Sequence, residues 1–304
     1  MTLEGVLPVW KPEGYTSHDV VAKVRRILGV KRIGHTGTLD PQVTGVLPLC
    51  IGRATRMVEY IQELPKQYEA VLSIGLSTDT EDMTGTVLEE VRDVSLTEDQ
   101  IRTALATFIG EIEQVPPMFS AVKVDGKRLY ELAREGKEVE RKSRKVTIHS
   151  IEILGMNLQV QHPEIHFRVT CSKGTYIRTL CVDIGKSLGY PAVMKSLVRT
   201  STGSLRRDQC LTFEQIQQFK EDGSLQAHLI PMDQAIMHIP SIRLTSTESV
   251  HALQGKKIAM NSERVAGADA SSSIFRAYSP DERFLGIFEW KSVSQSLTPA
   301  KVFL

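Results

Sequence analysis

The sequence predicts a mixed α/β (α+β) protein, with a largely antiparallel central sheet, flanking helices and a small β-rich C-terminal domain. Three observations carry this reading. Strand-like runs follow one another without helical connections, as at Val146–Leu154 and Ile165–Ser172, which argues against a regular βαβ alternation. Amphipathic helices with recognisable start signals are interspersed among them. Near Met232–Pro240 the character changes to short strand-like runs separated by Gly, Ser and Pro-Asp turns. With 304 residues, 41% hydrophobic and 24% charged, the chain can bury a core of ordinary size and is neither disordered nor fibrous.

Taken in chain order, Ser17–Leu28 reads as a helix. Ser17 caps it, Val20, Val21, Val24, Ile27 and Leu28 make one apolar face, and Gly29 stops it. Glu69–Leu76 reads as a strand. Thr97-Glu98-Asp99-Gln100 is a capping box that opens a short amphipathic helix, and Thr212-Phe213-Glu214-Gln215 is another. Between them, Val146–Leu154 and Ile165–Ser172 are strands. In the second, Ile165, Phe167, Val169 and Cys171 alternate with polar partners, as on a half-buried sheet. The tail offers strands at Ser241–Leu244, Ser273–Tyr278 and Phe284–Trp290, and a short helix at Val250–Leu253 before Gly255. The expected division is residues 1–235 and 236–304.

Charge is balanced overall, with 37 basic and 36 acidic residues for a net +1, but not locally. Val20–Leu39 holds five cations and no acid, Ser120–Lys145 nine cations against five acids, and Lys195–Arg207 four cations and no acid. Leu76–Gln114 holds ten acids against two cations. If the three basic stretches share a face, with the acidic stretch turned away, they form a phosphate-binding surface; otherwise they are solvated faces. Apolar runs such as Val46–Ile51 are far too short to span a bilayer, and the start lacks a secretory pattern. Cys50, Cys171, Cys181 and Cys210 are scattered with no C-x-x-C pair, as expected of buried thiols in a reducing compartment. The expected location is the cytoplasm.

Three apparent motifs carry no chemistry. Ser17-His18-Asp19 has the residue types of a hydrolase triad, but neighbours on a helix point in different directions. Gly185-Lys186-Ser187 lacks the first glycine of a phosphate loop, since Leu180 stands there. His162 and His166 are interrupted by Pro163 and have no third ligand nearby, so a zinc pair is not expected. The informative segment is Arg32–Leu47. Gly34, Gly37, Gly45 and Pro41 impose a tight loop that holds one imidazole, His35, and one carboxylate, Asp40. On its own, Asp40-Pro41 reads equally well as a turn initiator or as a functional site.

Gly34-His35-Thr36-Gly37-Thr38-Leu39-Asp40-Pro41, followed by Thr44-Gly45-Val46-Leu47, resembles the catalytic motif of the TruB family of tRNA pseudouridine synthases. The resemblance continues through Lys11-Pro12-Glu13-Gly14-Tyr15-Thr16-Ser17, Lys66-Gln67-Tyr68 and Pro116–Lys123 with Gly126 and Tyr130. It ends with Ser172–Leu180, which is similar to the family's arginine motif. The β-rich tail resembles a PUA-type RNA-binding domain. What the resemblance implies is isomerisation of uridine 55 in the T-loop of tRNA to pseudouridine on a sheet of the pseudouridine-synthase type. It implies no cofactor and no metal. Its expected partner is the tRNA T-stem-loop; no membrane, no obligate protein partner and a monomer are expected.

The family's residues carry over as follows. Asp40 is the nucleophile, acting at C1′ of the ribose or C6 of the base, and Arg178 pairs with it and favours its ionised form. Tyr68 stacks on the flipped base and assists proton movement. Tyr176 and Leu197 are further walls of the uridine pocket. His35 inserts into the T-loop. Lys11, Lys123, Lys127, Arg128 and Arg199 are the expected contacts to the RNA backbone. The competing readings are a non-catalytic RNA-binding or tRNA-folding protein, a metal-dependent hydrolase using His35 and Asp40, and an RNA-guided synthase.

Overall fold

Long strands form where apolar residues alternate, because only one register then puts every second side chain into a core. The computed structural model describes residues 3–303 except 125, 138 and 270. Its strands begin with β1 (Gly5–Lys11), β2 (Ile33–His35), β3 (Thr44–Ile51), β4 (Lys66–Ile74), β5 (Leu76–Thr78) and β6 (Val87–Glu90). They continue with β7 (Gly110–Gln114), β8 (Lys123–Val124), β9 (Lys127–Arg128), β10 (Arg144–Asn157), β11 (Glu164–Cys171), β12 (Ala192–Thr202) and β13 (Leu205–Arg206). The tail adds β14 (Ser241–Arg243), β15 (Ile258–Ala259), β16 (Ile274–Tyr278), β17 (Phe284–Lys291) and β18 (Ser296–Val302). The helices are α1 (Ser17–Leu28), α2 (Val58–Glu63), α3 (Glu98–Ala106), α4 (Leu129–Arg134), α5 (Ile177–Ser187), α6 (Phe213–Glu221), α7 (Ser246–Leu253) and α8 (Ser262–Asp269). Among the described residues no helix is long and apolar enough to cross a membrane.

Nine strands make one sheet in the order β1-β3-β12-β4-β11-β10-β7, with β2 added to β3 and β13 to β12. Every pairing is antiparallel except β12 with β3, where Val198 and Arg199 lie beside Thr44 and Gly45. That junction brings two main chains unusually close. A Cβ on Gly45, whose φ is +130°, would stand 2.2 Å from the Arg199 carbonyl oxygen, so no other residue fits there. The tail forms its own five-stranded sheet, β14-β16-β17-β18-β15.

The core has several parts. Phe167, Val169, Leu72 and Met194 pack with Ile177, Leu180 and Ile184 of α5. Leu7, Leu47 and Leu49 pack under Val20, Val24 and Leu28 of α1 and Ile216 of α6. Ile287 and Phe303 of the tail join Val6 and Val46 of the larger sheet, and Met57 just after β3, in a shared cluster, while Phe275, Phe288 and Leu297 form a core private to the tail. The four cysteines are unpaired, and three are buried.

Three expectations need correction. Helix α1 is capped by Thr16, not Ser17: Asp19 N donates to Thr16 Oγ1 at 3.1 Å and Thr16 N donates to Asp19 Oδ2 at 2.9 Å. Ser17 is thereby free for another use. Strand β4 starts three residues before Glu69 and ends at Ile74, because Gly75 turns the chain at φ +95° before β5 resumes. The tail contains β15, β18 and α8 beyond the expected elements. Pro299 lies within β18 opposite Phe288 of β17, beyond Ser296 and Leu297, the two β18 residues that pair with β15.

Candidate active site

The loop between β2 and β3 carries Asp40 and is held by main-chain accounting. Lys11, at the end of β1, is fully buried and its ammonium donates to the carbonyls of Pro12 at 2.9 Å and Pro41 at 3.0 Å. Leu39 N donates to Ser17 Oγ at 2.8 Å. Arg199 donates from Nε to Val46 O at 2.7 Å and from Nη2 to Gly37 O at 3.5 Å. Thr36 is tied through its backbone N and its hydroxyl to Pro48 O. Burial pulls the Lys11 ammonium down to about 8, with the Asp40 charge opposing.

Arg178 lies in the first turn of α5 and is 4% exposed. Its guanidinium donates from Nη1 to Thr80 O and from Nη2 to Phe119 O, both at 2.8 Å. Nη2 is also 3.1 Å from Asp40 Oδ2, whose side chain keeps 39% of its surface. The arginine is thus fixed by two loops, and the carboxylate it faces remains open to a ligand. The Thr80 loop is itself braced. Glu81 sits in the left-handed region at φ +63°, and Thr179 Oγ1 donates to its carboxylate at 2.8 Å. Burial pushes the Glu81 carboxyl above its usual range.

Beside this pair is a cavity of about 310 Å³ lined by Asp40, Tyr68, Tyr176, Leu197, Lys66 and Arg178, among others. Register explains the convergence: on β4, Tyr68 lies opposite Arg199 of β12 and Val169 of β11, and Ala70 lies opposite Leu197. Burial raises the Tyr68 phenol above its ordinary value, so it is neutral at pH 7. The Arg144 guanidinium stands 5.9 Å from the centre of the Tyr176 ring. Lys66 is buried, donates to Leu64 O at 2.7 Å and to Gln62 O, and is pulled down to about 8 by burial.

A wider cleft of about 890 Å³ shares the Asp40 and Arg178 wall and is lined by His18, Gln42, Lys123, Arg128, Tyr130 and Arg134. Arg128 and Arg134 both lie over the Tyr130 ring, at 5.7 and 5.5 Å. The expected backbone contacts therefore separate. Lys123 and Arg128 line the cleft, and Lys127 is exposed but pairs with Glu135 at 3.5 Å. Lys11 and Arg199, 0% and 2% exposed, direct hydrogen bonds to protein carbonyls, including those of Pro41 and Gly37 in the loop that carries Asp40. Lys23 and Arg26 line a separate shallow hollow, and Lys195 pairs with Glu164. The acidic stretch is not wholly turned away, because Asp82 lines the cleft. Its carboxylate is taken up by Thr80 Oγ1 at 2.8 Å and Thr84 N at 3.0 Å.

His35 lies outside both cavities' linings. Its ring meets His18 edge-on at 5.0 Å, its Nδ1 accepts from Gly37 N at 3.4 Å, and burial lowers its pKa. Lys66, His18, Ser120 and Thr80 also line these cavities, without being expected there from the sequence. Lys66 and Ser120 stand inside quoted motifs, whereas nothing local marks Thr80, which matters only through its carbonyl. Among the described residues no group of three or more His, Cys, Asp or Glu side chains is arranged to hold a metal ion.

Comparison with known proteins adds the following. Residues 25–177 match the family model of the TruB family pseudouridylate synthase N-terminal domain, and residues 178–237 match that of the tRNA pseudouridylate synthase B C-terminal domain. The second match ends before β14, so the tail sheet lies beyond both. The chain is 45% identical over 304 residues to tRNA pseudouridine synthase B of Bacillus pumilus (strain SAFR-032), covering 99% of this chain and 97% of the relative. It is 50% identical over 245 residues to tRNA pseudouridine synthase B of Geobacillus kaustophilus (strain HTA426), covering 80% and 86%. A crystal structure of a Cbf5-Nop10-Gar1 complex contains a chain similar to this one, with a TM-score of 0.74, 26% identity, and coverage of 99% of this chain and 85% of that chain.

Proposed function

The chain belongs to the TruB family of pseudouridylate synthases, and on that premise we propose that it isomerises uridine 55 in the T-loop of tRNA, with Asp40 as nucleophile. The N1–C1′ bond breaks, the uracil turns over, and a C5–C1′ bond forms; the proton lost from C5 is replaced at N1, so substrate and product are isomers. The observation that carries the proposal is the Asp40–Arg178 pair, 3.1 Å apart at the wall shared by a small cavity and a wide cationic cleft. An ionised carboxylate is a competent covalent catalyst at a glycosidic centre, and a fixed guanidinium orients it.

The target base is stacked in a folded loop and must be extruded, at a cost of a few kcal/mol. Tyr68, Tyr176 and Leu197 then form the walls that receive it, and the neutral Tyr68 phenol retains a proton to donate. Lys123 and Arg128 contact the phosphates, which supply affinity without sequence information. His35, next to His18, supports the rearranged T-loop. The tail, residues 236–304, acts as a PUA-like RNA-binding domain. The protein works as a cytoplasmic monomer with the tRNA T-stem-loop as its partner.

Tritium release from C5-labelled uridine in an unmodified T-stem-loop tests this, because C5 loses its hydrogen only when the new carbon–carbon bond forms. Wild type is expected to release tritium, and Asp40→Asn to bind the RNA without releasing any. Release by Asp40→Asn at the wild-type rate would sink the nucleophile assignment. Tight binding without release by either protein would leave an RNA-folding role instead.

A further inference from the structure

One buried polar group in the site has nothing to bond. Ser120 is 5% exposed, and among the described residues its hydroxyl has no hydrogen-bond partner. Its main chain is fully committed: Ser120 N donates to Met118 O at 3.0 Å, and Ser120 O accepts from Tyr130 N at 3.1 Å. Buried hydroxyls are usually satisfied, because an unpaired one costs about 1–3 kcal/mol, so an orphan calls for an explanation.

Its position supplies one. Ser120 lines the small cavity and the wide cleft alike, on the wall formed with Asp40 and Arg178. The preceding residue, Phe119, accepts from Arg178 Nη2 at 2.8 Å, so the loop that fixes the arginine also fixes this hydroxyl. With a base in the small cavity and the RNA chain in the cleft, the part of the nucleotide at the junction is the sugar. Whether Asp40 attacks C1′ or C6 of the base, the glycosidic bond lies beside it, and the 2′-hydroxyl is attached to the carbon next to C1′. A hydroxyl that can both donate and accept matches another of the same kind.

Resting on the uridine reading above, we infer that Ser120 is a substrate-positioning residue whose hydroxyl bonds the ribose 2′-hydroxyl of the flipped nucleotide. This contact distinguishes ribose from deoxyribose at the reacting position. It also explains why the free protein keeps an unsatisfied group: the partner arrives with the substrate.

The test is a cycle between protein and RNA, read as binding in an Asp40→Asn background so that chemistry does not intervene. The RNAs are T-stem-loops with uridine or 2′-deoxyuridine at the target position, and the proteins carry Ser120 or Ser120→Ala. One hydrogen bond of ordinary strength corresponds to roughly a fivefold change in Kd. The 2′-deoxy RNA should bind about fivefold more weakly than the uridine RNA to Ser120, and within twofold of it to Ser120→Ala. Thermal unfolding of the free Ser120→Ala protein should be unchanged or slightly higher, because the substitution removes an unsatisfied group. An equal 2′-deoxy penalty in both proteins would overturn the assignment, as would a Ser120→Ala protein that unfolds several degrees lower. Failure of both proteins to bind the uridine stem-loop would instead remove the substrate reading, and the Ser120 assignment with it.

Discussion

Replacing Ser17 with alanine is the sharpest probe of how the Asp40 loop is held. Ser17 is fully buried in the first turn of α1, and its Oγ accepts from Leu39 N at 2.8 Å. Leu39 is itself 4% exposed and immediately precedes Asp40. Alanine fits the space but leaves the Leu39 N–H buried without an acceptor, which costs about 1–3 kcal/mol. At roughly 2–4 °C per kcal/mol for a body of this size, Tm should fall by about 2–12 °C. The same loss frees the residue next to Asp40, the proposed nucleophile, and a displacement of about 1 Å at a reacting group costs on the order of a hundredfold in rate. Single-turnover tritium release at saturating protein isolates that effect from binding, and the Kd for the stem-loop should change less than threefold. A Ser17→Ala protein with Tm within 1 °C of wild type and a rate within twofold would refute the claim that this hydrogen bond positions Asp40.

Two further predictions separate roles that sequence alone merges. Lys123→Ala should reduce the slope of log Kd against log salt by about one, the loss of one phosphate contact, while Lys11→Met should leave the slope unchanged because its ammonium is bonded to Pro12 and Pro41 carbonyls. An equal reduction in both variants would return Lys11 to the RNA surface. His35 is held below its ordinary value of 6.5, first by burial and then by the charge of His18. Below pH 6.5 the unfolded chain takes up a proton there more readily than the folded one, so this site's contribution to stability is full above 6.5 and declines as pH falls. The difference in unfolding free energy between wild type and His35→Asn should therefore shrink from pH 7.5 to 5.5, and a flat difference would contradict the shift.

The order of strands and helices, the antiparallel character of the sheet and the change of regime near residue 240 follow from local chemistry. Alternation at Ile165, Phe167, Val169 and Cys171 determines a face wherever the strand lies, and Thr97 and Thr212 cap helices whatever those helices pack against. Thr16 and Ser17 are both competent caps by local chemistry; Thr16 takes the role and the Ser17 hydroxyl accepts from Leu39 N of the loop.

The site divides along the same line. From the sequence, the order and spacing of its motifs identify the family and mark Asp40, Tyr68 and Arg178 as the candidates for its chemistry. Tertiary structure decided what each cation does. Lys11, Arg199, Lys123 and Arg128 have the same charge in the sequence, yet the first two point into the protein and bond its carbonyls while the other two line the cleft. The physical reason is that charge belongs to a side chain but desolvation belongs to a place. Whether a cation supports a loop or meets a phosphate depends on strands brought together from distant parts of the chain, as Gly45 and Arg199 are across the one parallel pairing of the large sheet.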